Sequence, residues 1–427
     1  MKFMIKNIFK KNYVISSFVI YMLFLATIAS RWIADLVYIP PIVSMGITVL
    51  QYLPFAAFGL LKFIKDIQQK KIDFFNVAYY SFILYYLLIT IYRFFSGGVI
   101  KENLYITIIL VGSLAFISLI SESRYDFVSN KLSKNITIIS LALILYRLIF
   151  VLFVRKTLIY SPINEIALGS MIMLLIPVNV KLLADNKGNR KAQILQTLNL
   201  FSFIAIIFTL SSRVMFLVSV VELIIVFIVL IINKNKQVLI KTIAATLCAV
   251  LLIAGLFAMN VGGVRFAVYR ELGVVYVPTN PNEENQEAEQ AQEQIQRSDA
   301  MRGALFNASL EEIKKNPIFS TGKTFFQYTT SGGEEFNVPA HNFILTALNC
   351  YGIVGFGIII ALFIALLLKH KLFCFKQENS FINLLVWSVI IIFFGIGMVQ
   401  ASVFDILVMP MFCIAMGGLI NQRENKA

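Results

Sequence analysis

The sequence predicts an all-α polytopic membrane protein with about twelve transmembrane helices and one large extracytoplasmic loop that contains short helices. Two observations support this fold class. Of the 427 residues, 59% are hydrophobic and 14% are charged, with a mean hydropathy of +0.80, whereas soluble domains carry about 25% charged residues. The apolar residues also fall into long runs joined by short polar connections, which is typical of chains that cross a membrane repeatedly.

The individual spans follow from the length of these apolar runs. A hydrocarbon core of roughly 30 Å needs about 20 apolar residues per helix. The first run, with its basic start, also has features of a signal peptide, but it is long for one. The twelve predicted spans are residues 12–30, 41–61, 75–94, 104–121, 136–154, 164–180, 194–211, 213–232, 242–259, 352–368, 380–400 and 402–419.

The distribution of Lys and Arg predicts the orientation. If the N-terminus is cytoplasmic, the inner segments hold 23 of these residues and the short outer connections hold 6. Cytoplasmic segments retain positive charge, so we expect a multi-pass protein of the cytoplasmic membrane with both termini in the cytoplasm. The net charge of +14 therefore reflects membrane topology, and no nucleic-acid partner is expected.

Cysteine usage gives no sign of a metal site or a disulfide framework. The four cysteines, Cys248, Cys350, Cys374 and Cys413, lie in or beside apolar runs without CxxC spacing. Such cysteines commonly serve as packing residues.

One long polar segment divides the chain into three parts. Residues 1–259 hold the first nine predicted helices, residues 260–340 form the large extracytoplasmic loop, and residues 341–427 hold a short surface helix and the last three spans. Long loops often carry function. We therefore expect the functional residues in or beside residues 260–340.

The two halves of this loop differ in composition. Residues 278–296 are acidic, rich in Gln and Asn, and almost free of large apolar residues, which predicts a mobile or loosely helical excursion. In residues 301–322, apolar residues recur at helical spacing before a proline, which predicts a short amphipathic helix. His341 follows, at the start of an apolar helical stretch that is interrupted at Gly352.

Two ionisable residues lie within predicted spans. Arg147 and Glu222 fall near mid-depth of the fifth and eighth helices. Buried ionisable groups usually pair or line a polar cavity. The leading prediction is a structural Arg147–Glu222 ion pair, with a lipid-access groove as the alternative.

Three motifs resemble the bacterial O-antigen polymerase and ligase superfamily, whose members assemble capsule, exopolysaccharide or lipopolysaccharide chains. They are SSR at 211–213, RGALFNASLEEIKKNPIFSTG at 302–322, and HNFIL at 341–345 followed by YGIVG at 351–355. The resemblance covers about residues 200–368. Two positions depart from the pattern: Ser320 replaces a common glycine, and Phe306 replaces a frequent tryptophan.

The resemblance implies a catalytic role for three residues. Arg213 and Arg302 match the two family arginines and would bind a diphosphate, since the planar guanidinium fork suits phosphate oxygens. His341 would act as a base or orient the acceptor sugar. From position alone, Arg213 also fits an interfacial residue, Arg302 a solvated helix face, and His341 a locally hydrogen-bonded residue.

Three further residues are candidates for substrate binding. Asn342, beside His341, would steady the loop. Arg265 and Arg270 follow the ninth helix and fit diphosphate or anionic lipid headgroups equally well.

The resemblance also implies the reaction and the partners. The expected enzyme is a glycosyltransferase that joins undecaprenyl-diphosphate-linked oligosaccharide repeat units at the outer face of the bacterial inner membrane. A ligase of the same superfamily, a flippase for the same lipids and a permease-like receptor are the alternatives. Expected partners are membrane lipids, a chain-length regulator and a flippase. We expect no metal and no cofactor, because the predicted outer segments lack a His/Cys cluster and a DxD motif.

Overall fold

The computed structural model describes residues 74–100, 165–186, 188–210, 212–259, 264–272, 285–329 and 335–369, with single positions or short runs within 43–69, 103–112, 149, 333 and 384–397. The chain divides into two compact units. Unit 1 comprises Met1–Phe127, Gly303–Phe373 and Gly397–Ala427, and unit 2 comprises Val128–Arg302 and Cys374–Ile396. The predicted three-part division at residues 259 and 340 is a different partition, and it stays a prediction.

The described residues are mostly helical. In chain order the helices are α1 (Phe74–Ser96), α2 (Glu165–Asp185), α3 (Arg190–Ile207), α4 (Arg213–Ile232), α5 (Lys236–Ala258), α6 (Val264–Leu272), α7 (Asn285–Lys315) and α8 (Phe343–Lys369). A short hairpin of β1 (Phe325–Thr329) and β2 (Glu335–Pro339) lies between α7 and α8.

Five described helices are long and apolar enough to cross a membrane. They are Phe74–Ser96, Leu168–Asp185, Arg213–Ile232, Lys236–Ala258 and Phe343–Ala365. These agree with five predicted spans, although several ends differ. The predicted spans 12–30, 41–61, 104–121, 136–154, 380–400 and 402–419 lie wholly or mainly outside the described residues, so the count of twelve stays a prediction.

Helix α3 corresponds to the predicted span 194–211 but is more polar than the other five. It begins with Arg190 and Lys191, and Gln193, Gln196 and Asn199 recur along one buried face. In unit 2 this face packs against α2 and α5: Asn179 donates to the Gln196 carbonyl at 2.8 Å, and Lys241 donates to the Gln193 side chain. Side-chain amides that bond across helices are common where membrane helices pack together.

The loop region differs from its predicted secondary structure in two ways. Helix α7 has 31 residues and includes much of the acidic segment for which only loose helix was expected. It ends at Lys315, since residues that precede a proline, here Pro317, are pushed away from helical geometry. The second difference is the antiparallel hairpin, in which Phe325 pairs with Pro339 and Thr329 with Glu335. No strand is predicted for this segment from the sequence, although the aromatic residues of FFQYT favour one.

Unit 1 is organised by the contact between α1 and α8. Tyr351 of α8 is fully buried. Its ring lies 5.3 Å from that of Phe82 and 6.3 Å from that of Tyr86. Its hydroxyl lies 2.9 Å from the Thr107 hydroxyl. These contacts fix the face of α8 that packs on α1.

Helix α8 breaks at Gly352, as the sequence predicts. Gly352 has φ 66° and ψ −176°, a backbone conformation that is essentially restricted to glycine. A Cβ at this position would collide with the carbonyl group of Ile318 and would lie 2.9 Å from the Phe319 nitrogen. The break therefore brings the segment after α7 into direct contact with α8.

Replacing Gly352 by alanine should destabilise the protein. The strained backbone conformation alone costs about 1–3 kcal/mol for a residue with a side chain, and the collision with Ile318 adds to that cost. Gly357→Ala is the matched control, because a Cβ at Gly357 has nothing within 4 Å. Thermal unfolding of the detergent-purified protein measures both. Equal melting temperatures for the two variants would contradict the packing described here.

Candidate functional site

Two of the three predicted catalytic residues lie together in unit 2. Arg213 is the first residue of α4, where the Ser212 hydroxyl accepts from the Met215 N–H as the helix cap. Its terminal nitrogen Nη2 donates to both carboxylate oxygens of Asp299, at 2.8 and 3.1 Å. Arg302 lies one turn after Asp299 on α7, with Nη1 3.7 Å from the same carboxylate. Asp299 thus connects the two arginines.

This arginine cluster, defined as Arg213, Asp299 and Arg302, is accessible and positively charged. The side chains of Arg213 and Arg302 are 33% and 36% exposed, and that of Asp299 is 52% exposed. Two guanidinium groups face one carboxylate, so the cluster keeps one net positive charge. Exposed guanidinium donors of this kind can bind phosphate oxygens.

The two other predicted cations follow α5 in unit 2. Arg265 donates from Nε to the Phe257 carbonyl at 2.7 Å and from Nη2 to the Ala258 carbonyl at 3.0 Å. Its guanidinium also lies 5.8 Å from the Phe257 ring centroid. These contacts satisfy carbonyls at the end of α5, where a positive charge is favourable. Arg270 lies on α6. Substrate binding by either residue stays a prediction.

His341 lies in unit 1, two residues before α8. Its φ is 48°, in the left-handed region that few residues other than glycine adopt. The next residue, Asn342, accepts from the Leu345 N–H at 3.0 Å through its side-chain oxygen, which is the contact of a helix N-cap. This contact fixes the point at which α8 begins after His341, and the predicted role of Asn342 at the site stays a prediction.

The break in α8 creates three backbone acceptors in unit 1. Where a helix ends, the last carbonyls have no partner within the helix. The carbonyls of residues 349, 350 and 351 each accept from a side chain, namely Ser320, Arg93 and Tyr85, respectively. On the other side of the break, the Ile353 N–H donates to the Pro317 carbonyl at 2.9 Å. The second and third family-like motifs therefore meet at Gly352.

Arg93 is the central side chain of this motif junction, which we define as Arg93, residues 317–322 and residues 349–353. It is only 1% exposed. Its Nη2 lies 3.1 Å from the Phe319 carbonyl oxygen and 2.7 Å from the Ser320 hydroxyl, in addition to its bond to Cys350. Among the described residues no carboxylate forms an ion pair with Arg93. Backbone and hydroxyl oxygens therefore solvate its charge.

The remaining contacts of the junction join it to the neighbouring elements. Asn349 donates to the Ser309 hydroxyl of α7. Asn103 donates to the Gly322 carbonyl at 2.6 Å. Gly322 has φ +88°, and a Cβ there would collide with the Val99 carbonyl oxygen and with the Asn103 side-chain nitrogen. The glycine that ends the second motif is therefore required by its backbone conformation and by close packing against Val99 and Asn103.

Arg93 lies near the end of the predicted span 75–94, and from the sequence it contributes only to the count of outer positive charges. A detectable signal existed, because Arg93 interrupts the apolar end of α1 and intramembrane or interfacial arginines often have structural partners. Asp299 was also missed. Nothing in the sequence around it distinguishes its carboxylate from the other acidic residues of α7.

Glu222 is buried in unit 2, at 1% exposure. Its Oε1 accepts from the Ser388 hydroxyl, and its Oε2 has no hydrogen-bond partner among the described residues. The predicted partner, Arg147, lies outside the described residues, so the Arg147–Glu222 ion pair stays a prediction.

The predicted catalytic residues are divided between the two units. The structure brings Arg213 and Arg302 together in unit 2, and His341 and Asn342 immediately precede α8 in unit 1. A meeting of His341 with the arginines therefore remains a prediction. Within the part of the chain that is described, no group of three or more His, Cys, Asp or Glu residues forms a potential metal site.

Comparison with known families identifies a match to part of the chain. Residues 198–360 match the family model described as O-antigen ligase. The matched range includes all three motifs and is consistent with the O-antigen polymerase and ligase superfamily, so the resemblance is confirmed. With the apolar helices, it supports a membrane protein that processes glycans and implies lipid-linked oligosaccharide substrates. It does not distinguish a polymerase from a ligase. No curated protein matches the chain.

Replacing Arg93 by methionine should lower the free energy of unfolding by at least about 2 kcal/mol, because the buried carbonyl of Cys350 and the partly buried carbonyl of Phe319 lose their donor. Arg93→Lys, which keeps the charge and one nitrogen, should lose less. The exposed Arg190 supplies the control, Arg190→Met. The melting temperatures of the three variants in detergent rank their stabilities. A tolerated Arg93→Met would show that the junction does not depend on this guanidinium.

Glu312 on α7 should make stability depend on pH. Burial raises the pKa of its carboxyl, but hydrogen bonds from Lys315 and Thr321 and the charges of Lys315 and Lys323 outweigh burial, so the pKa lies below its ordinary value of 4.5. A depressed folded-state pKa stabilises the protein above the unfolded-state value, and this contribution is lost as the pH falls through the folded value.

The melting temperature should therefore fall less between pH 6 and pH 3.5 in Glu312→Gln than in the unmodified protein. Glu311→Gln, at the neighbouring exposed position, should follow the unmodified protein. Identical pH profiles for all three proteins would exclude a contribution from Glu312.

Proposed function

From the O-antigen ligase family match over residues 198–360, we propose that this protein is a membrane glycosyltransferase that polymerises lipid-linked oligosaccharides. It joins repeat units carried on undecaprenyl diphosphate at the outer face of the bacterial cytoplasmic membrane. Both termini lie in the cytoplasm, and residues 260–340 face outwards. The unequal distribution of Lys and Arg between alternate connections supports this orientation.

The arginine cluster is the observation that carries this proposal. Arg213 and Arg302 come from two separate family-like motifs, yet both contact Asp299. Arg213 begins a 20-residue apolar helix, so its guanidinium belongs at the boundary between hydrocarbon and water. A diphosphate attached to a lipid lies at the same depth. The two arginines can therefore bind the diphosphate while the sugar chain remains in water.

The proposed reaction is a single displacement. An acceptor hydroxyl attacks the anomeric carbon of the donor sugar, the new glycosidic C–O bond forms, and the bond from that carbon to the diphosphate oxygen breaks. Arg213 and Arg302 stabilise the negative charge that develops on the leaving diphosphate. His341 accepts the hydroxyl proton. The products are a lengthened sugar chain and undecaprenyl diphosphate.

Ligation is the second candidate function, and the description of the matched family favours it. A ligase would use the same diphosphate chemistry but would transfer a finished polymer to a different acceptor. The two functions predict different glycans in a deletion strain. Loss of a polymerase leaves single repeat units, whereas loss of a ligase leaves full-length polymer attached to the lipid carrier. Gel profiles of cell-surface and lipid-linked glycans separate these outcomes.

Alanine substitution of Arg213, Arg302 or His341 should each reduce long polymer in a complemented deletion strain. For each arginine, the loss of a charge-assisted contact of about 1.5–3 kcal/mol corresponds to at least about a tenfold lower rate. Arg297→Ala is the matched control, because Arg297 lies on the same helix, is 70% exposed and pairs with Glu293. Membrane levels of each variant are measured by immunoblot. Normal polymer length with Arg213→Ala or Arg302→Ala would refute the assignment of these arginines to the diphosphate. Normal polymer length with His341→Ala would refute the role of His341 as proton acceptor.

A further inference from the structure

We propose that Asp299 is an internal counter-anion of the arginine cluster, which diphosphate replaces when the lipid-linked donor binds. This inference rests on the proposed function, because it concerns the same two arginines. It adds an exchange of anions to the binding step. Before ligand binds, Asp299 holds the two arginines together, and it then competes with the ligand for the guanidinium donors.

The geometry of Asp299 is that of a bound anion. Both of its carboxylate oxygens accept from Nη2 of Arg213, and one of them also lies 3.7 Å from Nη1 of Arg302. A phosphate group presents oxygens with the same charge and the same hydrogen-bonding preference. Donors used for the carboxylate cannot also be used for phosphate, so a ligand gains the Nη2 donors of Arg213 only when the carboxylate withdraws.

The sequence separation of this ion pair sets it apart from its neighbours on α7. The pairs Glu293–Arg297 and Glu311–Lys314 join residues within one turn of the helix. The Arg213–Asp299 pair joins residues 86 positions apart, on α4 and α7. Its formation therefore joins α4 to the part of α7 that carries the site, which a local pair cannot do.

The Arg213–Asp299 ion pair is weak enough for another anion to replace the carboxylate. Asp299 is 52% exposed and Arg213 is 33% exposed, and ion pairs between exposed side chains contribute about 0.2–1 kcal/mol. The contact to Arg302, at 3.7 Å, is longer than a hydrogen bond. A diphosphate carries more than one negative charge and more acceptor oxygens than a carboxylate. It can therefore displace Asp299 and bind both guanidinium groups.

The test is a titration of the full chain, in discs of zwitterionic lipid, with inorganic diphosphate. Removing the competing carboxylate with Asp299→Asn should tighten binding by about 1.4- to fivefold, the range that corresponds to an exposed ion pair. Asp299→Glu keeps a carboxylate and should bind less tightly than Asp299→Asn. Glu293→Gln removes the same charge elsewhere on α7 and should match the unmodified protein. Unfolding temperatures establish that each variant is folded.

The outcomes separate this inference from the proposed function. Arg213→Ala should weaken binding by at least about tenfold; equal binding with and without Arg213 would refute the proposed function itself. If binding depends on Arg213 but Asp299→Asn binds equally or more weakly, Asp299 only positions the arginines and the exchange is refuted. An equal gain in Glu293→Gln would also refute it, because the effect would then be one of net charge.

A competition experiment identifies the source of the diphosphate. Undecaprenyl diphosphate placed in the disc should compete with inorganic diphosphate, and phosphatidylglycerol at the same mole fraction should compete much less. Equal competition by phosphatidylglycerol would assign the exchange to lipid headgroups and overturn its assignment to the donor.

Discussion

The break in α8 at Gly352 is the constraint on which the rest of unit 1 depends. A helix that ends inside packed protein leaves carbonyl groups without partners, and an unpaired buried carbonyl costs about 1–3 kcal/mol. Here three consecutive carbonyls are satisfied by side chains from α1 and from the segment after α7. The same break admits the backbone at Ile318 because Gly352 has no Cβ. One glycine therefore determines where two motifs distant in sequence come together.

Much of this architecture follows from simple patterns in the sequence. Hydrophobic run length identified the described spans, and the interruption at Gly352 was evident from the glycine within an apolar stretch. The hairpin and the full length of α7 were not predicted. A five-residue strand gives little periodic signal, and a polar helix such as the start of α7 has no apolar face by which to recognise it.

The candidate site was predictable only in part, for a related reason. Motifs identified Arg213 and Arg302, but the contact between them depends on Asp299, whose sequence context is that of any charged helix face. The sequence shows an arginine at position 93 but does not show what it binds. Its acceptors are mainly backbone carbonyl oxygens, which become available only where a helix ends. Sequence patterns report which side chains are present. They do not report where a backbone carbonyl becomes available.

The left-handed backbone at His341 has a consequence for how this position balances stability against activity. A residue with a Cβ is less stable than glycine in this conformation by about 1–2 kcal/mol. A chain optimised for stability alone would place glycine or asparagine at residue 341. Histidine at this position therefore lowers the stability of the folded protein. A functional role of its imidazole would explain why it is present despite this cost. Stabilising this protein by redesign on folding energy alone would therefore tend to remove that side chain first.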